Sequence, residues 1–173
     1  MFSIFKYFQK GSISPNNKKF LIVGLGNIGE EYKNTRHNIG FDIVDQLGKI
    51  LKGTFNSAKY GDILKSKYAG KQIILLKPNT FMNLSGKAVL YWLKKEKIHT
   101  NNLIVIVDDL NINFGVSRLK PSGSDGGHNG LKDITNSLNT SSFTRLRFGI
   151  GNNFKKKDQV DFVLSKWNNE ETV

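Results

Sequence analysis

A histidine and an aspartate mark the positions at which this sequence could perform acid–base chemistry. His37 lies in the stretch TRHN, just before a helical pattern, and Asp108 follows the apolar run LIVIV. A histidine near a carboxylate suits general-base activation of water, because the carboxylate fixes the imidazole tautomer and stabilises the imidazolium as it forms. The sequence has no cysteine and no G-x-S-x-G serine, so it offers no evident covalent nucleophile. The pair therefore predicts attack by activated water.

Three asparagines at strand ends or glycine-rich turns could complete such a site. Asn27 follows the first apolar run, Asn83 follows the run IILL, and Asn129 lies in the turn GGHNG. A side-chain amide can orient an acyl group and stabilise its oxyanion without competing for the proton. Each residue also has a structural alternative: the asparagines and His37 as helix caps or turn formers, and Asp108 as a solvated turn acid. Taken together, the five residues predict hydrolysis of an ester or amide next to a polyanion.

Alternating strand and helix patterns must bring these residues together. Strand patterns cover 19–25, 63–69, 72–78, 103–110, 116–120 and 145–151. Helical spacing covers 39–51, 84–97 and 130–138, and more weakly 158–167. A chain of 173 residues fits one domain. We therefore predict an α/β single-domain sandwich, in which a central mixed β-sheet is covered by helices on both faces and ligands collect at strand ends.

The charge of the chain indicates a polyanionic partner. Lys and Arg number 26 against 14 Asp and Glu, which gives a net charge of +12. Nucleic acid is the commonest partner of a small basic domain, although a Lys-rich and Asn-rich composition is the simpler alternative. No apolar run approaches the ~20 residues that a membrane-spanning helix needs, so we expect a soluble chain without a membrane partner.

The first residues differ in composition from the rest. Residues 1–18 are basic, contain no acid and carry interleaved phenylalanines. A weak surface helix or the remnant of an organelle-targeting signal are possible interpretations, but the absence of Arg and of a clear apolar core fits neither well. We expect residues 1–18 to be a flexible basic arm and residues 19–173 to be the domain.

The glycines of the stretch FLIVGLGNIG raise the alternative of NAD binding. Gly24, Gly26 and Gly29 have the spacing G-x-G-x-x-G of a dinucleotide-binding turn. In that fold a helix begins inside the motif and directs its N–H groups at the pyrophosphate. Here the polar stretch EEYKNTRHN follows, and helical spacing begins only at about residue 39. We therefore expect the glycines to form a turn that ends the first strand and presents Asn27, without NAD.

Four blocks of the sequence resemble one protein family. VGLGNIGEEYKNTRHNIGFDIVD, KPNTFMNLSGKAV, DDLNINFGVSRLKPSGSDGGHNGLKDI and FTRLRFGIG occur in this order over residues 23–151 and resemble bacterial-type peptidyl-tRNA hydrolases. The resemblance implies a monomeric, cytoplasmic enzyme that cleaves the ester between peptide and tRNA and recycles tRNA from abandoned translation products. It also implies that no metal or cofactor is needed.

The resemblance implies a role for each matching residue of the site. His37 would be the general base for water, and Asp108 would orient it. Around the peptide and the scissile ester the resemblance places Asn27, Asn83 and Asn129. Tyr32 would line the same pocket near its tRNA end, and His128 would have a structural or supporting role.

The resemblance also implies that two cations, Lys120 and Arg147, contact tRNA phosphates, as the net charge had suggested. Family members continue into a C-terminal helix where this sequence reads NNEETV, so we expect that lid to be missing or shortened. A non-catalytic RNA-binding module of the same fold is the alternative. The presence of His37, Asp108 and all three asparagines favours the enzyme.

Overall fold

Seven strands form one mixed sheet in the computed structural model, which describes residues 19–168 and 171. The strands are β1 (Lys19–Gly24), β2 (Asn56–Ala58), β3 (Gly61–Tyr68), β4 (Lys71–Pro78), β5 (Leu103–Asp109), β6 (Ser117–Lys120) and β7 (Thr144–Gly149). Their order across the sheet is β2-β3-β4-β1-β5-β7-β6. The arm expected at residues 1–18 lies outside the described residues.

Four α-helices accompany the sheet in the same part of the chain. They are α1 (Ile39–Ile50), α2 (Ser85–Glu96), α3 (Asn129–Leu138) and α4 (Gln159–Leu164). Short 3₁₀ turns precede or separate them at Glu30–Tyr32, Arg36–Asn38, Met82–Leu84, Thr100–Asn102 and Lys156–Asp158. No helix among the described residues is long and apolar enough to span a membrane.

The central strands are buried on both faces, which explains their continuous apolar runs. β1 pairs in parallel with β4 and β5, and β5 pairs in parallel with β7. Leu21 and Val23 face a cluster that includes α2 and α3, whereas Phe20 and Ile22 face a cluster that includes α1. The predicted α/β sandwich is thereby confirmed, with β3 and β6 joining their neighbours in antiparallel fashion.

Two glycines let α1 pass directly over the end of β1. A Cβ atom on Gly24 would lie 2.1 Å from the carbonyl oxygen of Gly40, and one on Gly40 would lie 2.4 Å from backbone atoms of Leu25. Among the three motif glycines only Gly29 has a positive φ, at 116°. The expectation of a glycine turn is therefore wrong for Gly24, which serves close helix–strand packing instead. The late helix was expected, and α1 begins at Ile39.

Candidate active site

A cleft of about 370 Å³ opens where β1 and β5 end and where the loop after β4 enters α2. All but one of the site residues predicted from the sequence line it: Asn27, Tyr32, His37, Asn83, Asp108, Asn129 and Arg147. The remaining residue, Lys120, is exposed at the end of β6 and does not line the cleft. Residues that are up to 120 positions apart in the sequence thus converge on one space.

Asp108 accepts hydrogen bonds from two histidines at this cleft. Its Oδ1 lies 2.8 Å from Nδ1 of His37 and 3.0 Å from Nε2 of His128. The carboxyl group is buried at the end of β5, and burial alone would oppose its ionisation. Interactions with His128 and His37 outweigh that penalty and hold the pKa of Asp108 well below its usual range. Asp108 is therefore a carboxylate that accepts both bonds.

The start of α3 fixes the proton on His128. Nδ1 of this residue accepts from the backbone N–H groups of Gly130 at 3.2 Å and Leu131 at 3.3 Å, so that His128 is the N-cap of the helix. A nitrogen that accepts carries no proton, and in a neutral ring the other nitrogen must carry it. Nε2 of His128 therefore donates to Asp108. His128, for which the resemblance implied a structural or supporting role, thus contacts that carboxylate directly.

The same reasoning leaves His37 with a free basic nitrogen. Its Nδ1 donates to the carboxylate of Asp108, so the lone pair of the neutral ring is on Nε2. No described residue hydrogen-bonds to this Nε2, and the ring is partly exposed to the cleft. The arrangement can accept a proton at Nε2 and stabilise the resulting imidazolium through Asp108.

Both neighbours of His37 anchor it to other parts of the chain. Asn38, which follows it, accepts from the backbone N–H of Asn27 at 2.8 Å and donates to the carbonyl of Asn27 at 2.9 Å. Arg36, which precedes it, is buried and donates to the segment after α4. These contacts fix the 3₁₀ turn of His37 from two sides.

The guanidinium of Arg36 holds the segment that follows α4. It donates to the hydroxyl of Ser165, to the carbonyl of Lys166 at 2.9 Å and to the carboxylate of Glu171. It also lies 4.5 Å from the ring centroid of Phe162 and 5.4 Å from that of Trp167. We refer to these residues as the Arg36 cluster. Since α4 forms one wall of the cleft, the cluster ties that wall to His37.

The amide of Asn27 is oriented by the loop before α2. Its Oδ1 accepts from the backbone N–H of Met82 at 2.8 Å, which identifies the oxygen. The Nδ2 donors of Asn27 are therefore directed away from that backbone, in a residue that lines the cleft. Asn83, in the 3₁₀ turn before α2, and Asn129, the first residue of α3, are both exposed at the rim.

Arg147, which was expected to contact tRNA phosphates, already contacts other residues of the protein. It forms an ion pair with Asp109 at 3.2 Å and donates to the carbonyl of Ser124 at 3.2 Å. Arg145 is completely buried and also donates to the carbonyls of Gly123 and Ser124. The two arginines together hold the glycine-rich loop that leads to His128, for which the sequence had indicated only a turn.

His37, Asp108 and His128 are the described residues whose side chains could converge on a metal ion, with ligand atoms within 4.8 Å of one another. Their hydrogen bonds favour protons at these positions. Metal at Nε2 of His128 would displace its proton while Nδ1 still accepts from the backbone, whereas a ligating histidine normally donates from its second nitrogen. These hydrogen bonds therefore suit proton transfer at the cluster better than metal binding.

Sequence reasoning did not identify Arg36 and Asn38 as parts of the site. Both are buried polar residues beside His37, with exposed fractions of 5% and 4%. Nothing in the sequence alone distinguishes a buried arginine before a histidine from a surface one. The only signal was their inclusion in the TRHN stretch, from which His37 alone had been selected.

The fold and this cleft define an α/β enzyme whose histidine–carboxylate pair joins the turn before α1 to the carboxyl end of β5. Residues 21–173 match the family model described as peptidyl-tRNA hydrolase. The chain belongs to the peptidyl-tRNA hydrolase family, and it is a hydrolase.

Similar proteins agree in sequence and in structure. The peptidyl-tRNA hydrolase of Parabacteroides distasonis is 56% identical over 153 residues, which is 88% of this chain and 82% of that protein. That of Clostridium botulinum is 46% identical over 88% of this chain and 80% of its own length. The crystal structure of peptidyl-tRNA hydrolase from Acinetobacter baumannii superposes with a TM-score of 0.84 at 39% identity, and the match covers 90% of this chain and 80% of that one.

Proposed function

We propose that the cleft hydrolyses the ester bond between peptide and tRNA with a water molecule that His37 activates. The observation that carries this proposal is the bond of 2.8 Å between Nδ1 of His37 and Asp108, which leaves Nε2 as the basic atom beside the cleft. Peptidyl-tRNA is the substrate class of the family, and its ester joins the peptide carboxyl group to the terminal ribose.

The reaction takes place in two proton transfers at one nitrogen. Nε2 of His37 removes a proton from water while the oxygen attacks the ester carbonyl, and Asp108 stabilises the imidazolium. When the tetrahedral intermediate collapses, the imidazolium returns the proton to the departing ribose hydroxyl. The products are a free peptide and a tRNA that can be aminoacylated again.

Asn27 supplies the donor for the developing oxyanion in this proposal. Its oxygen is occupied by the N–H of Met82, so its Nδ2 group is fixed before the substrate arrives. Donors fixed in advance are effective because little reorganisation accompanies the reaction. Asn83, Asn129 and Tyr32 would bind the peptide and the terminal nucleotide at the rim.

The tRNA would extend from the cleft towards β6 and β7. Lys120 is exposed there, whereas Arg147 shares its charge with Asp109. We therefore expect Lys120 to contribute more to phosphate binding than Arg147, with affinity falling as salt rises. As part of the same proposal, the enzyme acts as a monomer in the cytoplasm.

Substitution of His37 tests the mechanism directly. Release of peptide from N-blocked aminoacyl-tRNA should fall at least about 100-fold in His37→Ala, the scale of a lost general base. The matched control is His99→Ala, because His99 is exposed at the opposite end of the sheet. Turnover in His37→Ala equal to that of the control would refute the assignment.

Replacement of Asn27 tests the oxyanion donor. Asn27→Asp keeps the shape and the bond from Met82 but removes the donor, so kcat should fall about 100- to 1000-fold. The control is Asn101→Asp, which changes an exposed asparagine far from the cleft. An unchanged kcat in Asn27→Asp would assign the oxyanion to another group.

A further inference from the structure

We propose that this protein carries a second RNA-binding surface, outside the cleft, that binds a single-stranded RNA segment. Two tyrosines and three lysines form it, and we call it the Tyr60–Tyr91 surface: Lys59, Tyr60, Lys87, Tyr91 and Lys95. The residues come from the turn between β2 and β3 and from one side of α2.

The two tyrosine rings form one aromatic unit. Their centroids are 5.2 Å apart with an interplanar angle of 78°, and Tyr91 packs in the same edge-on manner on Trp92 at 5.5 Å. Both tyrosines are half-buried, whereas Trp92 belongs to the core. The two tyrosine rings are therefore packed against the hydrophobic core through Trp92.

The turn that carries Tyr60 is held in an uncommon conformation. Tyr60 has a φ of 65°, in the left-handed region that bulky residues rarely adopt. The indole N–H of Trp92 donates to the carbonyl of Lys59 at 3.0 Å, and the N–H of Asn79 donates to the carbonyl of Tyr60 at 3.2 Å. Surrounding contacts thus maintain this conformation, as is common where the conformation has a function.

Three exposed lysines place their ammonium groups over these rings. Nζ of Lys59 lies 5.4 Å from the centroid of Tyr60 and 5.3 Å from that of Tyr91. Nζ of Lys87 lies 5.2 Å from Tyr60, and Nζ of Lys95 lies 5.6 Å from Tyr91 and 4.6 Å from Trp92. Within the described part of the chain, none of the three forms an ion pair.

The nearest acid on α2 does not neutralise this charge. Glu96 follows Lys95 but already pairs with Lys19 at 3.0 Å and with Lys65 at 2.7 Å. Three cations therefore surround two aromatic rings without a counterion of their own. Single-stranded RNA matches both features, because its bases stack on aromatic side chains and its phosphates pair with cations.

The Tyr60–Tyr91 surface is separate from Lys120, the exposed cation that we propose contacts the tRNA phosphates. β2 and β3 form one edge of the sheet and β6, which carries Lys120, forms the other. Six steps between neighbouring strands at about 4.8 Å each place the edge that carries Lys59 and Tyr60 roughly 29 Å from β6, whereas α2 packs against β1 and β4 nearer the middle of the sheet. The Tyr60–Tyr91 surface would therefore bind a different RNA segment from the one at Lys120.

Binding of a 12-nucleotide fluorescein-labelled oligouridine, followed by anisotropy over a range of salt, tests the proposal. The triple variant Lys59→Gln/Lys87→Gln/Lys95→Gln should bind at least about 10-fold more weakly at low salt. Its slope of log affinity against log salt should be shallower by about 2, since each phosphate contact on a single strand contributes about 0.7. Tyr91→Leu should weaken binding by about 5-fold or more without changing the slope, because stacking does not depend on salt.

A matched triple variant separates this surface from net charge. Lys49→Gln/Lys52→Gln/Lys132→Gln removes three exposed lysines elsewhere and should retain most of the affinity. Equal losses in the two triple variants, or no loss in Tyr91→Leu, would overturn the proposal. So would loss of binding to phosphatidylserine vesicles with oligouridine binding unchanged, because the partner would then be a membrane. Cleavage of an N-blocked aminoacyl ester of a CCA trinucleotide should be unchanged in every variant, and a parallel loss would place the surface in the catalytic cleft instead.

Discussion

Replacing Arg36 with methionine should detach one wall of the cleft while leaving the sheet folded. Methionine preserves much of the apolar stem but removes the guanidinium that binds Ser165, Lys166 and Glu171. Removing one partner of a buried ion pair costs about 3–5 kcal/mol when the other charge stays buried. The Glu171 side chain is 16% exposed and can turn towards water, so we expect about 2–4 kcal/mol.

This loss of free energy should weaken the docking of α4 and of the residues after it. Four cleft-lining residues lie on α4: Gln159, Val160, Val163 and Leu164. Their displacement should raise KM at least about fivefold, because a weakening of about 2–4 kcal/mol lowers the ratio of docked to undocked molecules by a factor of roughly 30–1000. The effect on kcat should be smaller, since Asp108 and Asn38 still hold the turn of His37.

Tryptophan fluorescence gives an independent measurement of docking. The chain has two tryptophans, of which Trp92 is buried in the core and Trp167 is half-buried beside Arg36. Emission from Trp167 should shift to longer wavelength in Arg36→Met. The control is Arg118→Met, which changes an exposed arginine on β6. Wild-type emission together with a wild-type KM in Arg36→Met would refute the role of the Arg36 cluster.

Three further substitutions have defined outcomes. Burial raises the pKa of Asp42 to about 6, with Asp45 adding to the shift and Lys77 opposing it. The folded state therefore binds this proton more tightly than the unfolded state, and the stabilisation present below about pH 4 is lost as the pH rises through about 6. Asp42→Asn should therefore raise the free energy of unfolding in urea by about 1–2 kcal/mol at pH 8, after allowance for solvent screening. At pH 4 the same substitution should change it little. Equal changes at the two pH values would contradict the raised pKa of Asp42. His128→Asn should still cap α3, but its shorter side chain should not reach Asp108. We therefore expect kcat to fall about 10- to 100-fold with only a small change in melting temperature. An unchanged kcat would show that the bond to His37 is enough to orient Asp108. Gly40→Ala should destabilise the fold by roughly 1–3 kcal/mol in thermal unfolding, because the added Cβ would collide with the backbone of Leu25 and Ile106. A wild-type melting temperature would contradict this close approach of α1 to the sheet.

The strands of the sheet were predictable because the sequence pattern and the burial agree. Runs such as LIVIV are apolar at every position, and β5 is buried along its whole length. The weak pattern at 158–167 was too long, since α4 covers only Gln159–Leu164 and buries no residue completely. β2 was missed because its three residues, Asn56–Ala58, are polar or small and largely exposed. It pairs with β3 through backbone atoms, for which sequence patterns carry little information.

The site was predictable only at the residues that end strands or enter helices. Asp108 and Asn27 were identifiable because an apolar run stops at a polar residue, and His37 because it precedes a helical pattern. The anchoring by Arg36 and Asn38 depends on which distant segments approach them. That approach is a property of the whole fold, as is the pairing of Arg147 with Asp109, so the local sequence could not indicate either.

Four consecutive residues, Thr35 to Asn38, are joined to three different parts of the chain. Thr35 pairs with Lys166, and Arg36 bonds to Glu171 over a separation of 135 residues. His37 bonds to Asp108 over 71 residues, and Asn38 bonds to Asn27 over 11.

This connectivity has a consequence for synthesis of the protein. Contacts between distant residues cannot form until both have left the ribosome, so we expect the α4 wall of the cleft to dock only after Glu171, 135 residues downstream of Arg36, has emerged. Until then the growing chain is itself a peptide esterified to tRNA. Delayed docking of this wall would weaken the binding of such esters by a nascent copy until residues 165–171 have emerged.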